Sequence, residues 1–144
     1  MTMYAVVRIK GTVGIPRDIR DTLEMLNLKR PNYCTVVPKT PQYEGMLKKV
    51  KDFVAYGEID QELFKKMLKK WGRVGRKRLD DSYDVDKITK EIFENHKKLK
   101  DFGINPYFRL HPPRKGYRST KKHYPKGSLG YHGKDINKLL ERMI

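Results

Sequence analysis

Positive charge is concentrated in two blocks of the sequence, and this limits which segments can supply a folded core. The chain has 144 residues and a formal net charge of +16. Residues 63–79 hold eight Lys or Arg and no acid, whereas residues 102–144 hold ten Lys or Arg and two acids. The remaining residues are neutral as a whole. Because concentrated like charge repels itself in a compact state, the two blocks favour a polyanionic partner, and nucleic acid is the leading candidate.

The composition is that of a single small domain. A hydrophobic content of 38% is enough for a modest core but low for an enzyme with a deep pocket. No run approaches the ~20 apolar residues of a membrane span, and the N-terminal residues lack the pattern of a secretory signal, so we expect a cytoplasmic protein that binds no membrane. Cys34 is the single cysteine and flanks Val36 and Val37, which predicts a buried thiol rather than a reactive one.

The first 56 residues predict a strand, a helix, a second strand and a second helix. Residues 3–10 alternate between two faces, as in a strand, and residues 33–37 are a second strand-like run. Residues 17–28 have the spacing of an amphipathic helix. The second helix begins at Pro41, after Thr40 as its N-cap. Its predicted apolar stripe is Met46, Leu47, Val50, Phe53 and Val54.

The middle of the chain predicts two more helices and no strand directly after the second helix. The third helix follows Asp60, and the fourth follows residues 80–84. A strand-like run returns only at residues 107–111, where we expect it to close the sheet. Core positions of the third helix are Leu63, Phe64, Met67, Leu68 and Trp71, and those of the fourth are Val85, Ile88, Ile92, Phe93 and Leu99.

These elements divide the chain into a core, an insertion and an extension. Residues 1–56 and 104–112 form the predicted βαβαβ core, and residues 57–103 form a helical insertion. Residues 113–144 are a basic extension, most of which has too few aliphatic side chains to form a core of its own. Its last part predicts a terminal helix that docks on the protein through Ile136, Leu139, Leu140 and Met143.

The basic extension carries the strongest functional signal. There is no acidic residue between Phe102 and Lys134. Lys and Arg neutralise phosphates, and Tyr and His rings stack on unpaired bases, a combination that suits folded RNA better than a smooth duplex. The alternative is a solvated tail without an ordered partner. The predicted RNA-binding residues in and before the extension are Arg109, His111, Arg114, Lys115, Tyr117, Arg118, Lys121, Lys122 and Lys126.

The first basic block is a second predicted RNA contact. Its glycines, Gly72 and Gly75, allow backbone amides to approach phosphate oxygens closely. The alternative is a solvated turn with no partner. The predicted contact residues are Lys69, Lys70, Arg73, Arg76, Lys77 and Arg78.

One face of the predicted sheet is polar. If helices cover only the opposite face, this face is either a platform for RNA or protein or an ordinary solvent-facing surface. Its residues are Tyr4, Arg8, Lys10, Tyr107, Arg109 and His111.

Catalytic and nucleotide-loop signals are weak. The glycines at residues 11–14 lack the spacing of a phosphate loop, while residues 127–134 could offer amides and a helix N-terminus to one RNA phosphate. Acid–base cleavage of RNA would use His111 or His123, but no histidine pair is held on a rigid scaffold, so binding is favoured over catalysis. We predict no catalytic residue, no metal and no cofactor.

Four segments of the chain resemble a known family. They are MYAVVRIKGTVGIPRDIRDTLEMLNL, TPQYEGMLKKVKDFVAYGEID, FRLHPPRKGY and LGYHGKDINKLLERMI. Their order and motifs resemble the archaeal form of the L-thirty family of large-subunit ribosomal proteins across nearly the whole chain, with residues 80–103 fitting least well.

The resemblance implies an α+β fold: a ferredoxin-like βαβαβ core with a small antiparallel sheet, a helical insertion and a basic C-terminal extension. It also implies a structural role that binds and stabilises rRNA beside neighbouring ribosomal proteins. No catalysis, cofactor or small-molecule substrate is expected. The alternatives are a free-standing RNA-binding or chromatin-like protein and an RNA-processing enzyme.

Overall fold

The protein has an α+β fold in which helices cover both faces of one sheet. The computed structural model describes residues 3–10, 14–74, 77–78, 84–95, 99–111, 113–114, 124, 127 and 129–144. The strands are β1 (Met3–Arg8), β2 (Tyr33–Pro38), β3 (Val54–Glu58), β4 (Arg73–Val74), β5 (Lys77–Arg78), β6 (Phe108–Arg109) and β7 (Gly130–Tyr131). The helices are α1 (Arg17–Met25), α2 (Pro41–Val50), α3 (Gln61–Trp71), α4 (Val85–Asn95) and α5 (Ile136–Met143), with 3₁₀ helices at Leu99–Phe102 and Gly133–Asp135.

The main sheet has the strand order β6-β2-β1-β3-β7, so β1 is central. Strand β1 is antiparallel to both neighbours, and Val6 lies opposite Thr35 of β2 and Tyr56 of β3. Strand β6 extends one edge antiparallel to β2, and β7 extends the other edge parallel to β3. Strands β4 and β5 form a separate short hairpin. This mostly antiparallel sheet confirms the predicted α+β class.

Helices α1 and α2 pack on one face of the sheet. Their apolar residues share a buried cluster with the sheet residues Tyr4, Val6 and Val54. Thr40 caps α2 as expected, because its hydroxyl oxygen accepts a hydrogen bond from the Tyr43 amide at 3.4 Å. The helix residues in this cluster are Leu23, Leu47 and Val50, with Ile19, Tyr43 and Met46 partly buried against it.

Helices α3, α4 and α5 pack on the opposite face. They share a second buried cluster with the sheet residues Met3, Ala5 and Val7. This confirms that the terminal helix docks on the protein. The helix residues in this cluster are Leu63, Phe64, Met67, Leu68, Ile88, Ile92, Phe93, Ile136, Leu139, Leu140 and Met143.

The structure corrects the prediction that the second helix continues to Val54. Helix α2 ends at Val50, and a turn closes when the Phe53 amide donates to the Val50 carbonyl at 2.9 Å. Val54 then begins β3, which pairs with β1 at five positions. The helical spacing of Val50 and Val54 was coincidental, since pairing with β1 determines the conformation of this segment.

Other elements differ in length from the prediction. Strand β6 has two residues rather than the five of 107–111, and β7 was not predicted. Leu99 begins a 3₁₀ helix instead of extending α4. The division into core, insertion and extension stays a prediction, and its boundary after residue 56 falls within β3.

Strand β3 and the segment before α5 approach closely at Gly57. A Cβ atom placed on Gly57 would overlap the carbonyl oxygen of Gly133 and lie 2.8 Å from the Cβ of Ile136. The His132 amide also donates to the Tyr56 carbonyl at 2.7 Å, and the Asn137 side-chain amide donates to the Glu58 carbonyl at 3.1 Å. Gly57 therefore permits the docking of the terminal helix.

Cys34 is fully buried on β2, as predicted from its apolar neighbours. Burial raises the pKa of its thiol to about 12, because the thiolate would lose its hydration. A bond with the Val6 backbone offsets this only in part.

We predict that Gly57→Ala destabilises the protein by about 1–3 kcal/mol, because the added methyl group collides with backbone and forces β3 away from the segment before α5. Urea denaturation followed by circular dichroism measures the change. Gly45→Ala on α2 is the matched control: its Cβ would meet nothing within 4 Å, and replacing a helical glycine should stabilise by about 0.5–1 kcal/mol. Equal stability of the two variants would contradict the close approach at Gly57.

We predict that Cys34 resists iodoacetamide at pH 8 in the native protein and reacts once urea unfolds it. Because the folded pKa is raised, the folded thiol keeps its proton at pH values where the unfolded thiol ionises. The contribution of the buried, neutral thiol to the free energy of unfolding is therefore complete below the ordinary thiol pKa. It is lost as the pH rises towards 12. Between pH 8 and 10.5 the free energy of unfolding of the wild type should fall by about 1–2 kcal/mol more than that of Cys34→Ala, as measured by urea denaturation. An equal fall in both proteins would argue against the raised pKa of the Cys34 thiol.

Candidate nucleic-acid interface

The first basic block lies at the end of α3 and in the hairpin that follows. Helix α3 buries its apolar face, so Lys69 and Lys70 in its last turn are exposed, where positive charge also complements the helix dipole. Arg73 is half-buried on β4, and Lys77 is exposed on β5. Of the remaining predicted contacts in this block, Arg76 and the side chain of Arg78 lie outside the described residues.

Trp71 joins the first basic block to the segment that leads into the extension. The Lys70 Nζ lies 5.9 Å from the centre of the indole ring, and the Arg73 Cζ lies 5.8 Å from it. The His111 ring meets Trp71 edge to face at 4.9 Å. The Asn105 amide donates to the Arg73 carbonyl at 2.8 Å, which ties the hairpin to the segment before β6. Residues from both predicted RNA-binding blocks therefore meet around one aromatic side chain.

A second group lies at the β6 edge of the sheet. The rings of Tyr33 and Tyr107 are stacked with their centres 5.1 Å apart and an interplanar angle of 4°. The Cζ of exposed Arg109 lies 5.9 Å from the Tyr33 centre and 5.8 Å from the Tyr107 centre. A hydrogen bond with Tyr107 raises the pKa of Arg109, and the charges of Tyr33 and Tyr107 add to the effect.

The predicted polar face of the sheet is wrong for its central strand. Tyr4 and Arg8 are buried, because α1 and α2 cover this face. Tyr4 donates its hydroxyl proton to the Glu44 carboxylate at 3.2 Å, and burial together with this bond raises the pKa of Tyr4. Lys10 is half-buried, with its Nζ 5.5 Å from the Phe53 ring centre. Only the outer part of the predicted face, at β6, is accessible.

Buried Arg8 holds backbone instead of facing a partner. Its Nη1 donates to the Leu28 carbonyl at 2.8 Å and its Nε to the Lys10 carbonyl at 3.0 Å. Burial lowers the pKa of Arg8, and the charge of Arg20 lowers it further. The structural role of Arg8 is to join the end of β1 to the loop after α1.

Little of the predicted extension falls within the described residues. Arg114 is exposed, its Nη2 donates to the Glu141 carbonyl at 3.3 Å, and its amide donates to the Arg142 carbonyl at 3.0 Å. The predicted contacts outside the described residues are Lys115, Tyr117, Arg118, Lys121, Lys122 and Lys126.

The start of α5 offers a mixed environment to an anion. The Tyr124 hydroxyl donates to the Asp135 carboxylate, and the Tyr124 ring lies 4.5 Å from the His132 ring. Since the Asp135 carboxylate stands at the helix start, it opposes the phosphate contact suggested for residues 127–134.

The described part of the chain lacks the features of two further kinds of site. No three His, Cys, Asp or Glu side chains there converge in a way that could hold a metal ion. Within the same residues, every helix is too short or too polar to cross a membrane.

Comparison with known proteins identifies the family. The family described as Ribosomal protein L30p/L7e matches residues 4–54. Large ribosomal subunit protein uL30 of Methanosphaera stadtmanae is 46% identical, over 99% of this chain and 100% of its own length. The protein of the same name from Archaeoglobus fulgidus is 47% identical over 98% of this chain and 99% of its own length. The one from Nanoarchaeum equitans is 43% identical over the full length of both. The chain belongs to the uL30 family.

Membership of the uL30 family confirms the resemblance found in the sequence, including its archaeal type. It also confirms that the chain is not an enzyme, because this is a family of structural ribosomal proteins.

Sequence reasoning missed two residues of the candidate interface. Trp71 was assigned to the core of α3, and its position between Lys70, Arg73 and His111 depends on tertiary packing. Tyr33 was assigned only as a strand residue, although it lies opposite Arg109 in the sheet. The alternation of tyrosine and arginine at residues 107–109 was the available signal, but the register that brings Tyr33 beside them was not readable from the sequence.

Proposed function

We propose that the chain is a structural component of the large subunit of the cytoplasmic ribosome that binds and stabilises rRNA through its basic segments. Its partners are rRNA and neighbouring ribosomal proteins. The chain performs no catalysis in this role. Family membership supports the place of the chain in the large ribosomal subunit, and the charge distribution supports its contacts with rRNA.

The observation that carries the rRNA contact is the meeting of the two basic blocks around Trp71. Lys70 and Arg73 come from the first block, and His111 leads into the second. A joined basic surface contacts more phosphates on one folded RNA than two separated patches would, and each contact releases counterions. The neutral remainder of the chain supplies the rigid support.

The chief alternative is a protein that binds RNA outside the ribosome. The two functions differ in sedimentation. A structural component cosediments with the large subunit and leaves it only at high salt, because competing cations weaken phosphate contacts. A free-standing RNA-binding protein remains in the light fractions at physiological salt.

We predict that Lys69→Gln with Lys77→Gln weakens binding to protein-free large-subunit rRNA about tenfold at low salt. Both side chains are exposed, so stability should change by less than about 0.5 kcal/mol. The slope of log affinity against log salt should fall by about two, one for each lost phosphate contact. Filter binding over a salt series measures both quantities.

The control for this pair is Lys48→Gln with Lys51→Gln on the other side of the sheet. It removes the same charge from exposed positions in the neutral part of the chain. It should leave the salt slope unchanged. If both pairs lower the slope equally, the binding reflects net charge alone and the assignment of the first basic block is wrong.

We predict that replacing Arg114, Lys115 and Arg118 together with Ala weakens rRNA binding while the melting temperature changes little. The reason is that these cations lie in the acid-free part of the extension. Binding is measured by the same salt series, and stability by thermal denaturation. Unchanged affinity for rRNA would remove the extension from the proposed interface.

A further inference from the structure

The tyrosine pair at the β6 edge has a geometry suited to stacking. Tyr33 and Tyr107 are parallel to within 4°, and Tyr33 also packs against the buried cluster beneath α1 and α2. Tyr107 is the outer member of the pair and is half-buried. The pair is therefore a flat aromatic surface fixed to the sheet at one of its two edges.

Arg109 contacts both rings of the pair. Its Cζ is nearly equidistant from the two ring centres, at 5.9 and 5.8 Å. A cation over the outer face of Tyr107 would lie much nearer to the Tyr107 centre than to the Tyr33 centre, so the guanidinium leaves that face uncovered. Among the described residues, no other ring or cation is recorded against that face.

We propose that the outer face of Tyr107 stacks on an unpaired RNA base while Arg109 bonds the adjoining phosphate. This inference rests on the proposed function and specifies its ligand at this edge as a single-stranded nucleotide. Every base has a π face that stacks on tyrosine, and a guanidinium forms charge-assisted bonds with phosphate oxygens. A duplex keeps its base faces covered, so Tyr107 would add nothing to duplex binding.

The opposite edge of the sheet provides a comparison within the same molecule. Tyr131 on β7 is 48% exposed and packs against Tyr4 and Tyr56. Its hydroxyl lies 3.3 Å from the Glu58 carboxylate, to which it donates. The Glu58 carboxylate is also ion-paired with Lys39 at 3.5 Å, so this edge offers a phosphate a neutralised pair where the other edge offers the charge of Arg109. Tyrosine rings lie at both edges, but the cation near Tyr131 is ion-paired with Glu58, whereas Arg109 contacts the two tyrosine rings of the β6 edge.

The test compares two RNA probes with the purified full chain. One is a ten-nucleotide single-stranded RNA of alternating adenine and cytosine, and the other is a ten-base-pair RNA duplex, each labelled for fluorescence anisotropy. Tyr107→Leu should weaken single-strand binding about tenfold, in the range expected for one lost base stack, and duplex binding less than twofold. Tyr107→Phe keeps the ring and should bind like the wild type. Tyr131→Leu is the matched control and should leave both affinities unchanged.

The outcomes separate this inference from the proposed function. If the wild type binds both RNAs but Tyr107→Leu changes neither affinity, or weakens both equally, base stacking at this edge is refuted while rRNA binding stands. If the wild type binds neither probe nor large-subunit rRNA, both proposals fail.

A crosslinking experiment covers the case in which Tyr107→Leu does not fold. A single 5-iodouridine placed in the single-stranded probe is irradiated in complex with the wild type, and the adduct is located by mass spectrometry. Attachment to Tyr107 supports the proposal. Attachment only to residues away from Tyr33 and Tyr107 overturns it.

Discussion

The burial of β1 on both faces is the constraint on which the rest of the structure depends. Every residue of Met3–Arg8 is buried, and neighbouring strands pair with it on both sides. Burying one valine side chain contributes about 1.5–3 kcal/mol, so adjacent Val6 and Val7, which face opposite helix layers, stabilise both layers at once. The two layers cover both faces of the sheet, so within the described residues the sheet itself is accessible to a partner at its rims.

The buried centre explains where the basic residues lie. A buried cation needs hydrogen-bond partners, and Arg8 bonds two backbone carbonyls through Nε and Nη1, while its buried Nη2 has no partner among the described residues. Among the described residues, the predicted RNA-contact cations of the first basic block lie in the last turn of α3 and the β4–β5 hairpin, and Arg109 lies at the β6 edge. Charge segregation in the sequence thus corresponds to spatial segregation in the fold, since the neutral segments provide the β1, β2 and β3 strands of the sheet.

Elements with strong local signals were predictable from the sequence. Helix α3 follows Asp60, and α5 carries four buried residues at helical spacing, so both were recognised. Strand β3 was missed because Val50 and Val54 also fit a helix, and only the pairing partner in β1 decides between the two conformations. Strand β7 was missed because two residues, Gly130 and Tyr131, have no period to detect.

The candidate interface was predictable in its charge but not in its geometry. The sequence identified Lys70, Arg73, Arg109 and His111 as candidates. It could not show that Trp71 gathers three of them, because that contact brings together residues about forty positions apart. Tyr4 and Arg8 failed as candidates for a related reason: strand alternation separates two faces but does not reveal that helices cover both.

The covering of both sheet faces also limits how the fold can be shortened. Helices α3 and α4 supply much of the cluster over Met3, Ala5 and Val7. A homologue trimmed of these helices would expose that apolar surface to water. Such a homologue would need either a neighbouring subunit that covers this surface or polar residues in place of the apolar ones on β1.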